Sequence, residues 1–198
     1  VLRFNFCAKL KICASIAPPS QIPKTLAVRL QRNRYETKKQ LIKDNIMSFE
    51  KYKIEKYSDK YRNQVLDVWE KSVLATHDFL NPNDFEEIKQ LVQTFNFNDF
   101  EVFCLKQNDE VAGFIGLAER KIEMLFFSPE YIGKGLGRKL TDFAFSELKA
   151  DKVDVNEQNT NAVKFYEKLG FKTYERTDKD DQGKEYPLLR MKLETTEN

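Results

Sequence analysis

Between Ile122 and Thr141 the chain reads IEMLFFSPEYIGKGLGRKLT, and this stretch constrains the fold more than any other. An apolar run from Met124 to Phe127 has the character of a strand. Ser128-Pro129 breaks it, and Gly133, Gly135 and Gly137 follow at alternate positions before a helical pattern begins. Glycine adopts positive φ without strain and lets another group approach the backbone. Bare N–H groups at a helix N-terminus attract anions, helped by the helix dipole. Lys134, Arg138 and Lys139 add positive charge beside them. The unit suits a pyrophosphate, although a glycine-rich turn that merely joins strand to helix has the same composition.

Two familiar phosphate motifs are excluded by spacing. A dinucleotide fingerprint needs G-x-G-x-x-G, but its sixth position falls on Arg138 when counted from Gly133 and on Leu140 when counted from Gly135. A P-loop needs G-x-x-x-x-G-K-[ST], and no Gly-Lys-Ser or Gly-Lys-Thr ends this run.

At 198 residues the chain fits one ordinary domain with an appendage. The net charge of +2 conceals an asymmetry: residues 1–43 carry +9, which leaves −7 on the rest. The overall charge is therefore no argument for nucleic acid, and none is expected as a partner. We read residues 1–46 as a basic extension and residues 47–198 as the domain. The extension fits an Arg-rich presequence, a basic arm, or translated sequence upstream of a true start at Met47. The third reading is favoured because the pattern after Met47 is self-sufficient; disorder is the other expectation for this segment. Its apolar stretches fall short of the roughly 20 residues of a membrane helix, so no membrane partner is expected. Cys7, Cys13 and Cys104, with one histidine, argue against structural zinc and for a reducing compartment, the cytoplasm. Cys104 sits in an apolar alternation and reads as core.

Periodicity orders the remainder. Residues 52–57 alternate as a strand, and a helix from Asp59 places Val65, Trp69 and Val73 on one face. Thr76-His77-Asp78 interrupts, and Asn81-Pro82 opens a second helix with proline in its first turn. Residues 100–106 and 111–117 form a hairpin candidate, 121–127 the next strand, and 136–148 a helix buried through Leu140, Ala144 and Leu148. After a strand over 152–155, Ala162, Phe165, Tyr166 and Leu169 make an apolar helix face that Gly170 terminates. Strands over 171–176 and 186–193 close the chain. The order β-α-α-β-β-β-α-β-α-β-β predicts an α+β mixed sheet with helices on its faces.

The glycine unit and the later run VNEQNTNAVKFYEKLGF together resemble the GCN5-related N-acetyltransferases (GNAT). The first matches the family's acetyl-CoA pyrophosphate loop. The second matches N-x-x-A-x-x-x-Y-x-x-x-G-F at Asn159, Ala162, Tyr166, Gly170 and Phe171. ATHDFL (75–80), VNEQN (155–159) and DDQGKEYPLL (180–189) look like the YjaB-type small bacterial branch. The likeness spans residues 52–193 and leaves out the first 46. One departure is Ile132, where the family usually has Arg or Gln. This removes a side-chain contact but no backbone donor, and Lys134, Arg138 or Lys139 is positioned in sequence to compensate.

The resemblance implies an acyltransferase fold and direct attack of a primary amine, on a small molecule or a protein, at the thioester of acetyl-CoA. No metal is implied, and a monomer or homodimer is expected. The alternative function is a non-catalytic acetyl-CoA-binding or sensing module. The family's donor site maps to Ile132, Gly133, Lys134, Gly135, Leu136, Gly137 and Arg138, and its pantetheine contact to Asn159. A backbone N–H near Phe126 or Phe127 would meet the charge that develops on the carbonyl oxygen. Tyr166 maps to the acid that protonates the departing thiolate, with core packing as its competing role. Asn159 also suits a helix N-cap. A lysine-type amine, with a pKa of about 10.4, must lose a proton first. His77 is one base candidate, with a loop-capping role as the alternative; Glu123 is its rival, with a solvated strand position as the alternative. Tyr186 either lines the acceptor pocket or packs in its strand. An excess of acid favours cationic acceptors.

Overall fold

The computed structural model describes residues 33, 35–37, 39–40 and 50–194. The chain divides into two units, Val1–Ser48 and Phe49–Asn198. In the first, the described residues are helical. The other expectations for residues 1–46, with Cys7 and Cys13, lie outside the described residues.

The second unit follows the expected element order. Strands β1 (Tyr52–Lys56), β2 (Glu101–Gln107), β3 (Glu110–Ala118), β4 (Lys121–Phe127), β5 (Lys152–Asn156), β6 (Phe171–Thr177) and β7 (Leu188–Leu193) form a seven-stranded sheet. Helices α1 (Arg62–Thr76), α2 (Pro82–Thr94), α3 (Leu136–Glu147) and α4 (Thr160–Lys168) cover it. The spatial order is β1-β2-β3-β4-β5-β7-β6, so the last strand inserts beside β5 and leaves β6 at the edge.

Strand alternation divides the core into two layers. Leu105, Ile115, Ile122 and Phe127 face α3 and α4, joined by Leu140, Ala144, Tyr166 and Phe171. Cys104 and Phe114 face the other way, onto Val65, Val68, Trp69 and Val73 of α1. Helix α2 contributes no fully buried residue and packs through half-buried Phe85, Ile88 and Val92.

Both central hairpins turn on two residues. Asn108 takes φ 55°, and Glu119 and Arg120 take 47° and 69°. Positive φ is what a two-residue hairpin needs, and Asn adopts it at low cost. Two expected boundaries shift. Asp59–Tyr61 is a short 3-10 turn ahead of α1, and β7 begins at Leu188, leaving Tyr186 and Pro187 in the loop.

Candidate active site

Strands β4 and β5 run parallel but pair only at Lys121↔Lys152 and Ile122↔Val153. Beyond that they diverge, so β4 from Glu123 to Phe127 has no partner on its β5 side. On the other side, the Ser128 N–H reaches the Ala112 carbonyl of β3 at 3.1 Å. A strand directs successive N–H groups to opposite edges. Phe126 therefore spends its N–H on β3, whereas Phe127 and Leu125 point theirs into the gap. The Phe127 ring lies across Gly113, where a Cβ would sit 2.3 Å from it.

The loop after β4 is pinned by Tyr131, buried and edge-on to Tyr52 at 6.1 Å. Gly133 and Gly135 both take φ 77°, and Gly135 caps α3. The Lys139 N–H closes on the Gly135 carbonyl at 3.2 Å. The N–H groups of Leu136, Gly137 and Arg138 precede it in the first turn and have no intrahelical acceptor. Leu136 offers only its backbone, since its side chain is buried in the core. Of the three neighbouring cations, Arg138 lines the cleft while holding Asp142 at 2.7 Å. Lys134 lies 5.2 Å from the Tyr131 ring centre. Lys139 turns back to the Tyr52 carbonyl at 2.8 Å, and burial pulls its pKa down. Ile132 is 48% exposed on the rim.

A cleft of about 350 Å³ extends from this loop along Phe126 and Phe127 to Asn159, Tyr166 and His77. Tyr166 is 5% exposed, and its ring meets Phe165 and Phe171 edge-on at 5.1 and 5.5 Å. Burial pushes the phenol pKa up, so it stays protonated. Its hydroxyl has no hydrogen-bond partner among the described residues, which leaves it able to donate. The tyrosine both packs and faces the cleft. Asn159 accepts from the Ala162 N–H at 3.1 Å, which makes it the cap of α4, and it lines the same cleft.

His77 ends α1, its N–H bonded to the Val73 carbonyl at 2.9 Å. Its Nδ1 lies 2.8 Å from Thr76 Oγ1, and burial lowers its pKa, which favours the neutral ring. Glu123 lies 3.0 Å from the Lys121 ammonium, which also binds Asp154 at 2.9 Å. His77, Glu123 and Tyr166 all border the β4–β5 gap. On the α1–α2 face, a further cavity of about 240 Å³ is walled by Trp69, Phe95, Phe100, Met124 and Phe126, with Glu123 as its carboxylate. Among the described residues no cluster of metal ligands occurs. No helix among them is long and apolar enough to cross a membrane.

Tyr186 lies away from these walls. Its hydroxyl donates to Asp84 at 2.5 Å and accepts from the Asn81 N–H at 3.0 Å. Sequence reasoning passed over Asp84 and Lys184, which form an ion pair from 100 positions apart with no local pattern to mark it. It also passed over Leu125, whose N–H direction depends on β3 pairing.

The loop and gap fit a coenzyme A thioester: paired positive-φ glycines and free helix-end N–H groups at one end, an unpaired strand edge at the other. A family model described as an acetyltransferase (GNAT) domain matches residues 60–195. The peptidyl-lysine N-acetyltransferase YjaB of Salmonella typhimurium is 38% identical over 128 residues, 65% of this chain and 88% of that protein. The solution structure of apo YjaB from Escherichia coli superposes with a TM-score of 0.66 at 35% identity, covering 71% of this chain and 96% of that one. The PaiA N-acetyltransferase of Thermoplasma acidophilum, solved with coenzyme A, shares the fold at 19% identity and a TM-score of 0.58, covering 72% of this chain and 99% of that one. The chain belongs to the GNAT family, as an enzyme that moves the acetyl group of acetyl-CoA to an amine.

Proposed function

We propose that the acceptor is the side-chain amine of a lysine in a protein or peptide. The observation that carries this is the 38% identity to a peptidyl-lysine N-acetyltransferase over 88% of that relative's length. The aromatic cavity beside Glu123 supports it, since its apolar walls and single carboxylate complement a butylammonium chain.

Bound acetyl-CoA supplies an activated carbonyl. The N–H groups of Leu136, Gly137 and Arg138 hold the pyrophosphate with the dipole of α3 behind them. The Phe127 N–H, facing the gap, donates to the oxygen that gains charge as the amine attacks. Leu125 offers the neighbouring N–H to the pantetheine arm, and Asn159 its unused amide N–H. Neutral His77 accepts the proton that the lysine ammonium must lose, directly or through one water, and Glu123, which also pairs with Lys121, holds the ammonium beforehand. As the C–N bond forms and the C–S bond breaks, Tyr166 passes its phenolic proton to the departing thiolate. The second proton, shed by the attacking nitrogen as it becomes an amide, goes to solvent, from which the phenolate is reprotonated.

The test compares kcat/KM for a lysine peptide with a blocked N-terminus against polyamines and free amino acids, all with acetyl-CoA. Preference for the peptide, with the acetyl group on the lysine side chain, is expected. Preference for a small amine by tenfold or more contradicts the proposal.

A further inference from the structure

The loop between β6 and β7 reaches across to α2 and fastens there. Within the loop, Asp180 accepts at Oδ1 from the N–H groups of Gln182 and Lys184, at 3.0 and 2.8 Å. Its own N–H meets the Lys184 carbonyl at 3.0 Å. The loop thus presents Lys184 and Tyr186 as a preformed pair. The Lys184 ammonium binds Asp84 and Glu87 on the first turns of α2. The Tyr186 hydroxyl donates to the same Asp84 carboxylate at 2.5 Å. Lys184 and Asp84 are only 24% and 25% exposed at their side chains, so solvent screens this pair less than an open surface bridge.

The Tyr186 hydroxyl also accepts the N–H of Asn81, the residue that caps α2. Asn81 ends the short loop that His77 begins. Phe79, midway, lies 5.4 Å from the His77 ring and 6.3 Å from the Tyr186 ring. The Leu80 N–H returns to the His77 carbonyl at 3.0 Å. A ladder of three rings and one tight turn therefore joins the clasp to the histidine at the gap. Only Asp78, Phe79 and Leu80 lie between His77 and the clasped Asn81.

We propose that Tyr186 and Asp84 are positioning residues for proton removal from the acceptor: with Lys184 they form a clasp that sets His77 against the gap. The proposal rests on the reading of His77 as the acceptor's base. The clasp touches neither the glycine loop nor Tyr166, so donor binding is independent of it. A misplacement of about 1 Å at a catalytic group can cost up to about a hundredfold in rate.

His77 is the single histidine of the chain, so its imidazole can be followed alone by NMR without any substrate. The titratable and charged groups that line the cavities bordered by His77 are Asp78 on its own loop, Tyr166 from α4, Glu123 from β4, Asp154 from β5, and Tyr131 and Arg138 at the glycine loop. The experiment uses the full chain with Tyr186→Phe, Asp84→Asn and, as a control, Lys71→Ala in the exposed Asp67–Lys71 pair. Circular dichroism checks that each variant is folded. Tyr186→Phe keeps the ring that meets Phe79 and removes only the hydroxyl.

The expected result is that the His77 titration moves upward, towards that of an ordinary histidine, in both clasp variants and not in the control. With acetyl-CoA and a lysine peptide, kcat/KM for the peptide is expected to fall about tenfold while KM for acetyl-CoA holds. In a His77→Gln background, Tyr186→Phe should add nothing. An unchanged His77 titration overturns the proposal, whatever the kinetics do, and so does a full additional loss in that background. If the peptide is no substrate at all, the lysine assignment fails while the NMR arm still decides the clasp.

Discussion

Tyr166 meets two demands that usually conflict. Its ring is wedged against Phe165 and Phe171, yet its hydroxyl lies at the cleft without a hydrogen-bond partner among the described residues. Burial keeps the phenol protonated, the state in which a general acid is useful. Tyr166→Phe preserves the packing, so melting temperature and acetyl-CoA affinity should be nearly unchanged. Steady-state kinetics should show kcat down by about a hundredfold, the usual scale for losing a positioned proton donor. His77 titrates in the opposite sense. Burial lowers its pKa from 6.5, so the ring is neutral at pH 7 and takes up its proton only below that value. Peptide kcat/KM should therefore show an acid limb below pH 6.5, absent in His77→Gln. In that window the unfolded chain binds more protons, so stability also drops as pH falls from 6.5 towards the folded value. Not every role was legible at this scale. Asn159 was readable as a cap because Asn-x-x-Ala at a helix start is a local signal. The turn of Lys139 back to the Tyr52 carbonyl was not, because that contact spans 87 positions.

At the scale of elements, glycine separates structural from functional cost. Gly133 and Gly135 share φ 77°, but nothing lies within 4 Å of a Cβ on Gly133. Gly133→Ala should therefore cost only backbone strain, about 1 kcal/mol by chemical denaturation. Gly135→Ala carries the same strain at the cap of α3, where it disturbs the N–H groups proposed to hold the pyrophosphate. It should also raise KM for acetyl-CoA several-fold. Gly113→Ala acts differently. The new methyl meets the Phe127 ring at 2.3 Å and the Phe126 carbonyl at 2.7 Å, so β4 must shift. About 1–3 kcal/mol of overpacking destabilisation is expected, together with a loss of kcat. The order of the elements was legible because periods of 2 and 3.6 are local properties of the chain. Their arrangement was not. The insertion of β7 between β5 and β6, and the pairing of β4 with β5 at only two positions, depend on partners remote in sequence. Tyr186 shows the consequence: its alternation suggested a strand, while its hydroxyl is engaged by α2.

Across the whole molecule, the gap between β4 and β5 opens the sheet between its two apolar layers. One layer carries the glycine loop with α3 and α4, the other the aromatic cavity with α1 and α2. In the proposed mechanism, donor and acceptor approach from opposite faces and meet at Phe127, Tyr166 and His77. Ligand binding to the folded state alone should stabilise the domain. At a hundredfold excess over Kd the gain is about 2.7 kcal/mol, or roughly 5–10 °C in melting temperature for a domain of this size. Coenzyme A should give this shift in wild type and in Tyr166→Phe, and a smaller one in Gly135→Ala at the same concentration. Transfer, rather than binding alone, separates this enzyme from a coenzyme A-binding module. Its most direct test is mass spectrometry of a blocked lysine peptide incubated with the enzyme and acetyl-CoA, with thiol release followed in parallel. One acetyl group on the lysine side chain is expected for each thiol released, with both slowed about a hundredfold by Tyr166→Phe. Coenzyme A binding by calorimetry with no acetylated peptide and no thiol release would contradict it.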